Sequence, residues 1–170
     1  MNVAVGFFLD QPTCFTTRLP PPPLADSGAV LDRTGILSMR SFTPTADYAT
    51  SSATLAEVDA ANLWVRFTAP RSGKVKVSIE AIWQGSASAW QYVALASGGA
   101  AVAGTSRGVG VDSGRQRRPV TWLLTGLTPG TEYTYTLMMA TGTEATEVRI
   151  AGNNTDGRGD ILFTAEAVPA

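Results

Sequence analysis

The side chains that could do chemistry in this sequence are few. It contains no histidine, so a histidine base, nucleophile or metal ligand has no source. Cys14 is the single cysteine; it has no partner for an intrachain disulfide and founds no cysteine-rich zinc site. A lysine base would have to be Lys74 or Lys76, two residues apart on the polar face of one strand, where a solubilising role is expected. Eight Asp and six Glu show no acid–base pairing in sequence. Asn153, Asn154, Asp156 and Asp160 place oxygens suited to a hard cation in one loop, but without the spacing or terminal Glu of an EF-hand. Asn, Asp and Gly are also the ordinary residues of a polar turn. The same loop spells Arg158-Gly159-Asp160 and an Asn153 sequon, which carry meaning only outside the cell. No catalytic, metal-binding or cofactor-binding residue is assigned, and no enzyme is expected.

Binding chemistry is better supplied. Trp83, Trp90 and Tyr92 flank the small polar stretch 84–89, an arrangement that suits sugar stacking or a host-surface contact and also suits a sandwich core. Trp64 and Arg66 fall on the polar face of their strand, where an exposed Trp marks a contact surface. Arg115, Arg117 and Arg118 form a basic cluster able to meet a phosphate, an acidic cell-wall polymer or a neighbour's carboxylate.

Charge narrows the partners. Thirteen Lys and Arg against fourteen Asp and Glu give −1, so no basic excess exists for nucleic acid. Charged residues make up 16% of the chain, well below the usual ~25%. Thr, Ser, Gly and Ala replace them, a mixture suited to sheets and small-residue loops. The apolar run Val3–Leu9 has no basic residue before it and ends at Asp10 and Pro12, so no secretory signal is expected. No stretch approaches the ~18 apolar residues of a membrane-spanning helix. Synthesis and assembly in a cytoplasm are expected.

The elements that must position these groups read as strands. Val75, Val77, Ile79 and Ala81 alternate with Lys74, Lys76, Ser78 and Glu80, the period of a half-buried strand. Equivalent alternation runs through Leu63–Phe67, Val120–Leu124, Tyr133–Met139, Val148–Ile150, Ile161–Ala167 and Trp90–Ala96. Turn signals separate them: Pro70 with Gly73, Gly85, Gly98-Gly99, Gly108 with Gly110, Pro129-Gly130, Gly142, and Gly157 with Gly159. Residues 54–61 fit a short helix, or a short strand and turn. Residues 1–45 differ in texture. Pro20–Pro23 impose an extended polyproline II segment, while Phe7, Phe8 and Phe15 offer apolar anchors. The expected organisation is an N-terminal arm, 1–45, followed by a β-sandwich domain, 46–170.

Two stretches carry a resemblance. Residues 51–63 lead into Val65-Arg66-Phe67-Thr68-Ala69-Pro70 and Ser72-Gly73-Lys74-Val75, and later comes Leu124-Thr125-Gly126-Leu127-Thr128-Pro129-Gly130-Thr131. Over about residues 48–168 this resembles a jelly-roll module of virion proteins, especially minor tail proteins, of tailed phages of actinobacteria. That module is itself similar to the complement globular head and tumour necrosis factor folds. The resemblance implies an all-β, two-sheet antiparallel jelly-roll sandwich of ten strands that trimerises. It implies a place on a virion, often near the tail tip. It brings no catalytic residues.

The residues add their own argument for self-association. Leu123, Met138 and Leu162 make their strands apolar on both faces, whereas a two-layer sandwich buries one. A partner subunit would cover the second face, so a homotrimer contacting itself through these residues is expected. The arm would grip other virion proteins, and the aromatic residues would meet a host cell-surface glycan. The alternatives carried forward are a capsid decoration protein or head fibre, and a carbohydrate-binding module.

Overall fold

The computed structural model describes residues 35–142, 145–152 and 160–170. Phe7, Phe8, Phe15, Cys14, Pro20–Pro23 and the Asn153–Gly159 part of the polar loop lie outside them. The described residues form twelve β-segments and no helix. These are β1 Ile36–Phe42, β2 Tyr48–Thr50, β3 Ala56–Glu57, β4 Trp64–Thr68, β5 Val75–Gly85, β6 Ala89–Ser97, β7 Ala100–Ala101, β8 Arg107–Val111, β9 Gln116–Leu124, β10 Glu132–Thr141, β11 Val148–Ala151 and β12 Ile161–Ala167.

Four strands are each built from two segments in line. β12 and β11 lie along the same side of β5, opposite 75–80 and 82–85. β1 and β2 pair with them in turn. In the other sheet β4 and β3 lie in line along β10, and β8 and β7 along β6. Counted this way, one sheet runs β1/β2, β11/β12, β5, β9 and the other β3/β4, β10, β6, β7/β8. All pairings are antiparallel, and the chain alternates between the sheets in the order of an eight-strand jelly roll. Among the described residues the ten strands implied by the resemblance are therefore eight, four of them made of two segments each.

The sheet also takes in residues 36–42, which the sequence reading assigned to the arm. β1 pairs along β12 from Ile36 to Phe42. Its half-buried Leu37 and Phe42 pack on the core. Residues 54–61 resolve to the short β3 and a turn rather than a helix.

Burial follows the two-residue period. Val75, Val77, Ile79 and Ala81 of β5 face Val65, Phe67, Val93, Leu95, Tyr135 and Leu137 of the opposite sheet within one apolar layer. Outward from β5, Lys76 meets Glu166 at 2.6 Å, Glu80 meets Arg117 at 2.6 Å, and Ser78 shares a 3.0 Å hydrogen bond with Thr121. Buried indoles find acceptors: Trp83 donates to the Arg118 carbonyl at 2.8 Å, and Trp122 donates to that of Thr105. Gly73, at φ +62°, lets the chain turn where a Cβ would stand 2.6 Å from the Leu127 carbonyl oxygen.

This layering predicts a sharp contrast within one strand. Ile79→Ala should lower unfolding free energy by about 2–5 kcal/mol, as a cavity in a closed core does. Lys76→Ala, on the outer face, should cost less than about 1 kcal/mol. Urea denaturation of both variants checks it.

Candidate functional site

The structure separates the residues that sequence reading grouped. Trp83 is buried, so it is a core residue and offers no ligand contact. Alternation along β6 turns Trp90 and Tyr92 the other way, and they stand 58% and 41% exposed on the outer face of the β10–β6 sheet. Leu123 and Leu162 lie on the outer face of the opposite sheet, Leu123 59% exposed and Leu162 half-buried. Met138 lies on the β10–β6 sheet's outer face, but it is buried against Ala94, Ala96 and Leu55 of its own chain. Leu123, Met138 and Leu162 therefore do not form one patch. The second apolar face expected around Met138 is covered locally, by the loop that carries Leu55.

Trp64 is likewise engaged within the chain. The guanidinium of Arg40, from β1, lies 4.3 Å from its ring centre, and that of Arg66 lies 5.5 Å away. Arg40 also donates to the Asn62 carbonyl at 2.6 Å. The cluster ties the β1 edge of one sheet to the β4 edge of the other by cation–π contact. Arg66 remains exposed, donating to Thr134 at 3.2 Å with Glu132 at 3.9 Å.

The aromatic pair rests on glycine. Tyr92 sits opposite Gly108 and Trp90 opposite Gly110 across the β6–β8 ladder. A Cβ on Gly108 would stand 3.2 Å from the Trp90 benzo ring and 3.5 Å from the Tyr92 ring. A Cβ on Gly142 would come within 2.8 Å of Tyr92 and 3.0 Å of Trp90. The rings thus lie against bare backbone, which fixes their tilt and shields the glycines. Sequence reading took Gly108 and Gly110 as turn signals; they belong to strand β8. The signal that could have placed them was the alternation of Gly108 and Gly110 with Val109 and Val111, since both valines are buried.

Two shallow grooves, of about 480 and 450 Å³, flank Trp90. The first is lined by Arg107, Arg118, Thr121 and the β8 backbone, the second by Asp112, Gln116 and again Arg118. Asp112 is occupied locally, accepting from the Gly114 amide at 2.7 Å and the Gln116 amide group at 2.9 Å. The basic cluster is split: Arg117 pairs with Glu80, while Arg118 turns to the groove and donates to the Gly110 carbonyl at 3.4 Å.

Titratable groups elsewhere serve the scaffold. Asp59 accepts from the Tyr48 hydroxyl at 2.5 Å, from the Asn62 side chain at 3.0 Å, and from the amides of Ala61 and Asn62 at 3.1 and 3.0 Å. Burial alone would raise its pKa, but these donors together hold it below the ordinary carboxylate value. Burial first, and then the Asp59 carboxylate, push the Tyr48 hydroxyl far up. Arg149 is raised by its contact with Glu147 and, at 3.4 Å, by Asp47, which also accepts the Gly152 amide at 2.9 Å. Asp160, at the end of the polar loop, accepts from Thr43 at 2.5 Å. Among the described residues, no three Asp, Glu or Cys side chains converge as a metal site would require.

Comparison with known proteins finds distant likenesses among solved structures, three of them as follows. No family model and no curated sequence matches the chain. The tripod from the baseplate of bacteriophage Tuc2009 aligns over 98% of this chain and 82% of its own, at 12% identity and a TM-score of 0.40. A family two carbohydrate esterase from Cellvibrio japonicus aligns over 81% of this chain and 36% of its own, at 14% identity and a TM-score of 0.32. The infectious bursal disease virus Gx strain structure aligns over 81% and 37%, at 14% identity and 0.27. The jelly-roll assignment rests on the strand pairing itself.

The Asp59 cluster generates a pH prediction. A carboxyl whose folded pKa is depressed contributes stability above its unfolded value, and that contribution is lost as pH falls through the folded value. Stability should therefore drop below about pH 4, the ordinary carboxylate range. Asp59→Asn should be less stable at neutral pH and show a flatter decline in acid. Thermal melts from pH 7 to pH 2 on both proteins measure it.

Proposed function

We propose that this chain is a structural and interaction protein of a tailed-phage virion, sited at the tail near its tip, where it self-associates and meets the host surface. The observation that supports this most is the agreement of motif and fold. The phrases around residues 65–75 and 124–131 resemble a virion jelly-roll module, and the strand order is that of a jelly roll. A fold by itself hosts many functions, so the surface matters more. Rigid antiparallel sheets present Trp90 and Tyr92 outward on a bed of glycine, which is the chemistry of contact.

In this reading the trimer forms through the outer face of the β5–β9 sheet, where Leu123, Ile36 and Met39 are exposed. The segment preceding β1 anchors the domain to other virion proteins, with Phe7, Phe8 and Phe15 as its apolar contacts. Trp90 and Tyr92 are left for the host.

Immunogold labelling of the parent virion tests the placement. Label at the tail tip is expected; label over the capsid would make the chain a decoration protein or head fibre; unlabelled virions would overturn the reading. Sedimentation of the isolated protein tests the assembly. A trimer at micromolar concentration is expected, and Leu123→Lys should dissociate it with little change in melting temperature. Met138→Lys should instead destabilise the fold by more than about 2 kcal/mol, because it buries a charge beside Ala94 and Ala96.

A further inference from the structure

The groove of about 480 Å³ beside Trp90 brings arginines and an exposed indole together. Arg107, Arg118, Thr121 and Trp90 line it, with no carboxylate residue among its walls. Four other cations meet acids: Lys76 with Glu166, Arg117 with Glu80, Arg149 with Asp47 and Glu147, Arg66 near Glu132. Arg107 and Arg118 have only backbone carbonyls: Gly104 at 3.1 Å and Ser106 at 2.9 Å for the first, Gly110 at 3.4 Å for the second. Among the described residues neither meets an acid. A guanidinium presents several donors in a planar fork, so each retains capacity for an anion arriving from solvent.

The indole supplies the second half of the recognition. The Trp90 benzo ring rests on the Gly108 backbone, and more than half of the side chain stays open. A flat apolar ring held by backbone stacks well on the C–H face of a pyranose. The groove's size falls within the range of small-ligand sites and suits one or two sugar units. A neutral sugar would leave the two guanidiniums unused, and a simple anion would leave the indole unused.

We propose that Trp90, Arg107 and Arg118 form a binding site for an anionic saccharide unit of a cell-surface polymer, the ring stacking on Trp90 and the acid group held between the two arginines. This deepens the host-contact part of the function proposed above and rests on it. The acid can be a uronate carboxylate or a phosphate ester, since both accept the bidentate guanidinium contact.

The test is titration of the full chain with matched oligosaccharides. The probes are oligogalacturonate, its carboxyl-reduced neutral form, glycerol phosphate-substituted oligosaccharide and its dephosphorylated form, followed by calorimetry. At least one acidic probe should bind tenfold or more tightly than its neutral counterpart, and which one distinguishes the carboxylate from the phosphate source. Trp90→Ala should weaken that binding at least tenfold, and Trp90→Phe should restore most of it. Arg107→Gln and Arg118→Gln should each erase the preference for the acidic form while leaving the residual neutral affinity in place. Arg66→Gln, on the same sheet but away from the groove, should change neither. Equal affinity for acidic and neutral members of both pairs would overturn the proposal, as would binding that survives Trp90→Ala in a variant with a native melt. If Trp90→Ala instead dissociates the oligomer without affecting saccharide affinity, the surface is a contact between copies and the saccharide site is refuted. Each of these results is separable from virion labelling, which tests the underlying reading without any saccharide.

Discussion

One buried indole links the two sheets close to the exposed aromatic pair. Trp122 sits on the inner face of β9 and donates its ring N–H to the Thr105 carbonyl, in the opposite sheet's loop between β7 and β8. A buried N–H must find an acceptor, and this one finds it across the sandwich. Thr105 in turn stands in for a missing strand. Its hydroxyl donates to the Val102 carbonyl at 2.7 Å and accepts the Leu95 amide at 3.1 Å, so the β6 backbone stays satisfied where the ladder breaks. The break lets the chain leave β6 after β7 and return as β8. The register of that return puts Gly108 and Gly110 opposite Tyr92 and Trp90. The core tryptophan's hydrogen bond and the backing of the aromatic surface thus meet in one stretch, residues 102–111.

Strand alternation, together with the segments that cover each sheet, explains why the sandwich is sealed in some places and open in others. On the β5–β9 sheet the outer face is laced by Lys76–Glu166, Arg117–Glu80 and Ser78–Thr121. Such exposed pairs add little stability, but they keep the face hydrated between the apolar residues. On the other sheet Ala94, Ala96 and Met138 are covered from within the chain by Leu55. Trp64 is held by Arg40 and Arg66 at the sandwich edge. On this sheet the Trp90 and Tyr92 region remains uncovered, with Arg107 and Arg118 next to it. Conformational rigidity there comes from the ladder beneath, so a contact made on it costs little ordering entropy.

The sequence by itself determined the fold class. Two-residue alternation in β4, β5, β9, β10 and β12 is a property of the local chain, because successive side chains on a strand must point to opposite sides. The motifs at 65–75 and 124–131 carried the jelly roll, which the pairing then supplied. The absence of histidine, the single cysteine and the charge balance were equally legible. Local reading failed where a residue's environment is set by a distant partner. Gly108 and Gly110 look like turn residues until two aromatic rings from β6 are laid over them. Trp83 and Trp90 are seven positions apart and look alike, yet Trp83 is buried in β5 while alternation turns Trp90 to the outer face of β6. Met138 looked unpartnered because its cover, Leu55, comes from a loop eighty-three residues earlier. Arg107 was not singled out at all, because it has no neighbour in sequence to make it conspicuous, and only the groove brings it beside Arg118 and Trp90. Period and composition are summed along the chain, whereas a surface is summed across it, so only the tertiary structure could decide which of these side chains face water together.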